Sequence, residues 1–137
     1  DVLQTVKIIE GSDITIAANG ITASYAVKAA ELLAKDEIKA EVFSVPFVKP
    51  FAPDALVESV AKTKRMLTVE EHVLFGGFGS TVSEHFIKAG IFCRFDSIGI
   101  EDTYTESGPY DALLAKYGIS SEAIADRARA LVAKKTK

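Results

Sequence analysis

The sequence has 137 residues, 48% of them apolar and 26% charged, a balance typical of one folded domain with a single core and unlike that of disordered chains. Sixteen basic and nineteen acidic residues leave a net charge of -3, so the chain lacks the excess of positive charge typical of nucleic-acid-binding proteins. It also lacks a signal-peptide pattern and an apolar run near the roughly 20 residues of a membrane helix, and we expect a cytoplasmic protein with neither a nucleic acid nor a membrane as partner.

The first two predicted strands are joined by a turn too short for a parallel connection. Residues 5–10 and residues 13–18 are rich in β-forming side chains, and only Gly11 and Ser12 clearly separate them. Parallel neighbours need a crossover of a dozen or more residues. We therefore expect the first run to be a reversed strand at the edge of the sheet.

A helix and a third strand follow Asn19 and Gly20. Apolar residues recur at helical spacing from Ala23 to Leu33, with charged residues on the opposite face. Residues 38–45 are mostly apolar, which is typical of a strand covered on both faces. This segment predicts a right-handed βαβ unit.

A proline-bounded loop leads into the next helix and strand. Pro46 and Pro50 keep this loop extended, because proline biases its predecessor away from helix. Pro53 opens a helix, and residues 65–70 form the following predicted strand. The residues of this helix that we expect to point inward are Leu56, Val57, Val60 and Ala61.

The second half of the chain continues the alternation of helix and strand. We predict a helix over residues 79–89, a strand over residues 91–98 that contains the single cysteine, Cys93, and helices from Tyr110 and Ser121. The apolar stripe of the first of these helices is Phe78, Val82, Phe86 and Ala89. The whole pattern predicts a three-layer α/β/α fold with a mostly parallel sheet.

Two acids and a histidine end the predicted fourth strand. Glu70, Glu71 and His72 fit a general acid–base pair, since a neighbouring carboxylate raises the pKa of an imidazole and orients it. They also fit a structural role, in which the acids accept amide hydrogen bonds from the following turn.

That turn, residues 76–79, contains three glycines and leads into a helix. One interpretation is a phosphate cradle, because unpaired amides converge at the start of a helix. The other is a tight chain reversal, since the turn lacks the lysine of a P-loop.

Seven landmarks in order carry a resemblance to a known family. They are residues 10–15 leading to Asn19-Gly20, 29–33, 49–50, 68–72, 76–80, 98–108 and 113–119. Over about residues 7–132 the chain resembles the C-terminal domain of the transketolase family, the third domain of thiamine diphosphate enzymes. It is most similar to the short or split-subunit form of transketolase.

The resemblance implies a five-stranded mixed sheet in the order 1-3-2-4-5, with the first strand antiparallel. Strands two and four are then neighbours, and ligands favour the crevice at the carboxyl ends of such strands. The crevice would be formed by Asn19, Gly20, Glu70, Glu71, His72, Gly76, Gly77, Gly79 and Ser80.

The resemblance also implies a function in the pentose phosphate pathway, the transfer of two-carbon ketol units between sugar phosphates. Family members hold thiamine diphosphate and magnesium with a Gly-Asp-Gly segment on another domain, and this sequence contains no such segment. We therefore expect no catalytic, cofactor-binding or metal-binding residue in residues 1–137, which we interpret as a single domain cut from a larger chain. Its expected role is assembly with upstream transketolase domains or an N-terminal subunit in a homo-oligomer, and we expect the isolated domain to be inactive.

Two alternatives remain open. The crevice fits a regulatory or ligand-binding module, and exposed aromatic residues fit a partner-docking domain like that of 2-oxo acid dehydrogenase β subunits. The predicted interface residues are Phe47, Phe51, Phe75, Asp102, Tyr104 and Glu106. The last three lie in a polar loop for which partner contact and catalysis are both possible roles.

Overall fold

The computed structural model describes residues 4–46, 48, 51–101 and 110–133. Its strands are β1 (Val6–Ile9), β2 (Ile14–Asn19), β3 (Ala40–Val45), β4 (Arg65–Val73) and β5 (Arg94–Ile100). Its helices are α1 (Thr22–Ala34), α2 (Asp54–Thr63), α3 (Phe78–Lys88), α4 (Tyr110–Lys116) and α5 (Ser121–Ala133). No helix in this described part of the chain is long and apolar enough to cross a membrane.

The five strands form one mixed sheet in the order β1-β3-β2-β4-β5. β1 runs antiparallel to β3, with Lys7 beside Phe43, and the other neighbouring strands are parallel. At the centre of the sheet Ala18 of β2 lies beside Val69 of β4. The predicted strand order and the reversed first strand are both confirmed.

Helices cover the two faces of the sheet. On one face α1, α4 and α5 pack over buried side chains that include Ile16 and Leu67. On the other face α2 and α3 pack over Ala17 and Met66. Neighbouring residues of one strand enter different cores because their side chains alternate in direction. The three-layer prediction is therefore confirmed.

The bounds of β4 and β5 differ from the prediction. β4 continues to Val73 instead of ending at Glu70, because Val73 pairs with Ile100 of β5. β5 begins at Arg94, so Cys93 precedes the strand instead of lying in it. Cys93 is half-buried, and burial raises the pKa of its thiol, which fits packing better than reactivity.

The inward face of α2 is more polar than predicted. Ala61 is exposed, whereas Ser59 and Thr63 are buried. Their hydroxyl oxygens lie 2.6 and 2.7 Å from Thr15 Oγ1, and this hydrogen bonding offsets the cost of burying them. Ala89, predicted in the apolar stripe of α3, is exposed just beyond the helix end.

Candidate functional site

The switch point of the sheet lies between β2 and β4. α1 follows β2 onto one face and α3 follows β4 onto the other, so the chain diverges from two neighbouring parallel strands. Such a divergence opens a crevice at the carboxyl ends of the strands. Asn19 and Gly20 lie at the end of β2, and Glu70, Glu71 and His72 lie in the last part of β4.

Glu70 is fully buried and binds the first turn of α3. Its Oε1 accepts a 2.8 Å hydrogen bond from the Phe78 amide, and its Oε2 accepts a 2.7 Å bond from the Gly79 amide. The helix dipole favours a carboxylate at this position. Burial raises the pKa of Glu70, although the two amide bonds act in the opposite direction. For Glu70 this geometry confirms the structural interpretation.

The glycine-rich turn between β4 and α3 satisfies its own polar groups. The Gly76 amide donates to Ser80 Oγ at 3.2 Å, and Ser80 Oγ donates to Leu74 O at 2.9 Å. The Gly77 amide donates to the same carbonyl at 3.1 Å. With the two bonds to Glu70, each backbone amide of residues 76–79 is engaged. The turn therefore fits a tight chain reversal, with no amide in these four residues left for a phosphate.

Gly79 allows α3 to lie directly on the sheet. Beneath it are Thr68 Oγ1 and Ser97 Oγ, which are 2.8 Å apart. A Cβ added to Gly79 would lie 2.7 Å from the first oxygen and 2.5 Å from the second, closer than real Cβ contacts. The absence of a side chain at Gly79 is thus a packing requirement.

Glu71 faces the side of the sheet opposite to Glu70, because successive strand residues alternate. A Cβ built on Gly20 would lie 3.4 Å from Glu71 Oε1, so the end of β2 comes near this carboxylate. Glu71 Oε2 is shielded from solvent and has no hydrogen-bond partner in the part of the chain that the structure describes. Of the predicted crevice residues, Gly20 and Glu71 therefore lie near each other across the switch point.

Asn19 holds the end of β2 against β3. It is buried, and its Nδ2 donates a 2.7 Å hydrogen bond to Val45 O. Thr22 Oγ1 lies 2.6 Å from Asn19 O and 3.1 Å from Val69 O, which ties the start of α1 to β2 and β4. His72, by contrast, is exposed.

The predicted interface residues differ in their surroundings. Phe75 is 92% exposed, as predicted for a contact residue. Phe51 is partly buried instead of exposed, and its ring packs edge-on against His85 with 5.7 Å between ring centroids. The other four lie outside the described residues: Phe47, Asp102, Tyr104 and Glu106.

Residues 4–124 match the family model described as the transketolase C-terminal domain. The chain belongs to this family. The match confirms the resemblance seen in the sequence, and it includes β1 to β5 and the whole switch point.

The curated relatives that the chain matches are much longer than the chain. The 1-deoxy-D-xylulose-5-phosphate synthase of Heliobacterium modesticaldum is 40% identical over 122 residues, which are 89% of this chain and 19% of the relative. The enzyme of the same name from Desulforudis audaxviator is 40% identical over 116 residues, 84% of this chain and 18% of the relative. The chain thus spans about a fifth of their length.

Solved structures show the same fold. A structure described as a split gene transketolase, an inactive β4 tetramer, has a TM-score of 0.91 and 32% identity, and the match covers 99% of this chain and 44% of that one. A transketolase from Leishmania mexicana has a TM-score of 0.70 and 23% identity, covering 96% of this chain and 18% of that one. At 23% identity, the likeness to the Leishmania mexicana enzyme shows the fold alone.

Sequence reasoning missed a buried polar cluster in this transketolase C-terminal domain. Glu41 of β3 is fully buried and accepts hydrogen bonds from Ser59 Oγ and, at 2.8 Å, from Lys62 Nζ. Lys7 Nζ lies 3.0 Å from the same carboxylate. Both lysines also contact Glu10, at 3.0 and 3.2 Å. The cluster joins β1, β3 and α2.

These partners determine the ionisation of Glu41. Burial acts to raise its pKa, but hydrogen bonds from Lys62, Ser59 and Lys7 outweigh burial and lower the pKa to about 2. A cavity of about 400 Å³ opens beside the cluster. The sequence signal for it is Glu41 itself, because a charged residue is rare in a strand covered on both faces.

Proposed function

We propose that this chain is the C-terminal domain of a thiamine diphosphate enzyme that transfers two-carbon ketol units between sugar phosphates, with the chemistry performed by other domains. The family match and the likeness to a split gene transketolase support the proposal. Residues 1–137 would act as one domain of a larger cytoplasmic assembly, since the chain spans about a fifth of its curated relatives.

The described residues of the switch point do not fit thiamine diphosphate. A diphosphate needs free amides, basic side chains or a metal ion. Here Glu70 occupies the first-turn amides of α3, and Glu71 adds a second carboxylate. Within the described ranges, no group of three or more His, Cys, Asp or Glu side chains is placed to hold a metal ion. In this proposal the cofactor and magnesium belong to the other domains.

The proposed role of the domain is assembly. Phe75 is 92% exposed and Ile21 is 45% exposed, and both follow the carboxyl ends of central strands. Large apolar side chains exposed at one edge of a sheet are typical of a contact surface. The proposed partners are the upstream transketolase domains, or an N-terminal subunit that carries them, within a homo-oligomer.

A second candidate is the C-terminal domain of a 1-deoxy-D-xylulose-5-phosphate synthase. The observation that favours it is the identity of 36–40% to several curated enzymes of that name. This candidate differs from the first in the reaction of the complete enzyme, while the role proposed for the domain is the same.

Reconstitution with the upstream region tests both candidates. We expect the isolated chain to be inactive and to show no heat of binding with thiamine diphosphate and magnesium in calorimetry. Combined with the polypeptide that supplies the upstream domains, it should restore transfer of ketol units between sugar phosphates. Formation of 1-deoxy-D-xylulose 5-phosphate instead would establish the second candidate. Tight cofactor binding by the isolated chain would contradict the assignment of roles.

A further inference from the structure

Glu71 is the carboxylate at the switch point whose charge is least well compensated. Glu70 receives two backbone amides, and Glu41 receives two lysines and a serine. Glu71 Oε2, in contrast, is shielded from solvent and has no hydrogen-bond partner among the described residues. A carboxylate oxygen withdrawn from water without a donor is unfavourable for the free chain. Such a residue is better explained by a partner that supplies the donor.

Glu71 lies at the edge of the sheet formed by the carboxyl ends of β2 and β4. Glu71 Oε1 lies near Gly20, just before α1, and α1 begins without a side-chain cap or an acidic residue in its first turn. Glu71 is itself partly exposed, so a partner at this edge can reach its carboxyl group. Ile21, which follows Gly20, and Phe75, which follows β4, are exposed at the same edge.

We infer that Ile21, Glu71 and Phe75 form a docking surface for the upstream transketolase region, whose contact residues include a basic side chain that donates to Glu71. This inference rests on the proposed function and adds to it the place of the contact. We name Ile21, Glu71 and Phe75 the edge surface.

The chemistry of the edge surface favours a protein partner with arginine or lysine. A carboxylate accepts a charge-assisted hydrogen bond from either, and arginine offers a bidentate fork. Exposed aromatic and aliphatic side chains next to such a pair exclude water from it, as in the centre of stable interfaces. A small sugar phosphate would bring its own negative charge toward Glu71 and would leave Phe75 uncovered.

Glu71→Gln tests the edge surface, because it keeps the shape of the side chain and removes its charge. If Glu71 serves a partner, the variant should fold with an unchanged or slightly higher melting temperature, since it relieves an uncompensated charge. Its dissociation constant for the upstream polypeptide, measured by calorimetry or sedimentation, should rise about 30-fold or more. Phe75→Ser should weaken the same association.

Matched controls separate this surface from general effects of charge and exposure. Glu31→Gln changes an exposed acid of α1, and Phe92→Ser changes an aromatic residue that is 84% exposed near the start of β5. Both should leave the dissociation constant within about twofold of the wild-type value.

Each outcome of the experiment decides a different point. Wild-type binding with no loss in Glu71→Gln, or an equal loss in the controls, overturns the edge surface and leaves the proposed function standing. A melting temperature that falls in Glu71→Gln shows a structural role and also overturns the inference. If the wild-type chain does not bind the upstream polypeptide, the proposed function fails as well. A Glu71-dependent thermal shift with sugar phosphates alone would identify a small-molecule site instead.

Discussion

The backbone amide of Gly79 donates a 2.7 Å hydrogen bond to Glu70 Oε2, so the protein's own carboxylate occupies the first turn of α3. Two acids followed by a glycine turn resemble a catalytic motif in the sequence. In the structure one of these acids, Glu70, holds the turn in place. It joins β4 to α3 at the switch point, where the crevice would otherwise open onto free amides. The neighbouring acid, Glu71, faces the other side of the sheet.

Gly79→Ala should destabilise the protein by overpacking. The new Cβ would meet Thr68 Oγ1 and Ser97 Oγ at 2.7 and 2.5 Å, so α3 has to move away from the sheet. We expect the free energy of unfolding, measured with urea, to fall by about 1–3 kcal/mol. Ile87→Ala changes a 72% exposed residue of the same helix and should change it by less than about 0.5 kcal/mol. Similar values for the two variants would contradict the close packing of Gly79.

Glu70→Gln should destabilise the protein in a pH-dependent way. Glutamine turns an NH2 donor toward one of the two amides, whereas both oxygens of a protonated carboxyl group can still accept, so we expect the free energy of unfolding at acid pH to fall by about 1–3 kcal/mol. Burial raises the pKa of Glu70, so the wild-type fold favours the protonated acid more than the unfolded chain does. The stabilisation linked to this pKa is therefore complete below the ordinary pKa of glutamate and is lost as pH rises through the raised value. Unfolding free energies of both proteins across this range should show the largest difference at acid pH, and a difference that grows toward neutral pH would contradict the raised pKa.

Glu41→Gln should remove stability at neutral pH and change the acid limb of the stability curve. The pKa of Glu41 falls from 4.5 to about 2 on folding, so its stabilisation is present above pH 4.5 and is lost as pH falls toward 2. From this shift we expect about 3 kcal/mol at most, measured as the difference in unfolding free energy between the wild-type protein and the variant at neutral pH. Glu58 is an exposed acid beside the same cavity. Glu58→Gln is therefore the matched control and should leave the stability curve unchanged. An acid limb of the same slope in both variants would show that Glu41 is not the group responsible.

The reversed first strand followed from local and periodic features of the sequence, whereas the strand order 1-3-2-4-5 came from the resemblance to the family. The short link at Gly11 and Ser12 excludes a parallel connection, and the spacing of apolar residues in α1 fixes the face that the helix buries. The hydrogen bonding between Glu70 and the glycine turn could also be predicted, because a carboxylate a few residues away from unpaired amides in the sequence can reach them in space.

The orientation of Glu71 and the polar cluster were not predictable in this way. Glu71 takes its direction from the continuation of β4 to Val73, which depends on pairing with Ile100 of the distant β5. The polar cluster depends on how α2 is rotated about its own axis. In the structure Ser59 faces inward and donates to Glu41, whereas Ala61 faces outward. Contacts between elements far apart in the chain decide both features.

Gly20→Ala tests how much the backbone conformation at the switch point contributes to stability, separately from contacts with neighbouring side chains. Gly20 has φ of +65°, which costs an alanine about 1–2 kcal/mol, whereas asparagine adopts this conformation more readily. The added Cβ would lie 3.4 Å from Glu71 Oε1, an ordinary contact, so the cost should come from the backbone. We expect urea unfolding to show a loss of about 1–2 kcal/mol for Gly20→Ala and a smaller loss for Gly20→Asn. If asparagine cost as much as alanine, contact with Glu71 would be the dominant effect, and Gly20→Ala combined with Glu71→Ala should then recover the lost stability.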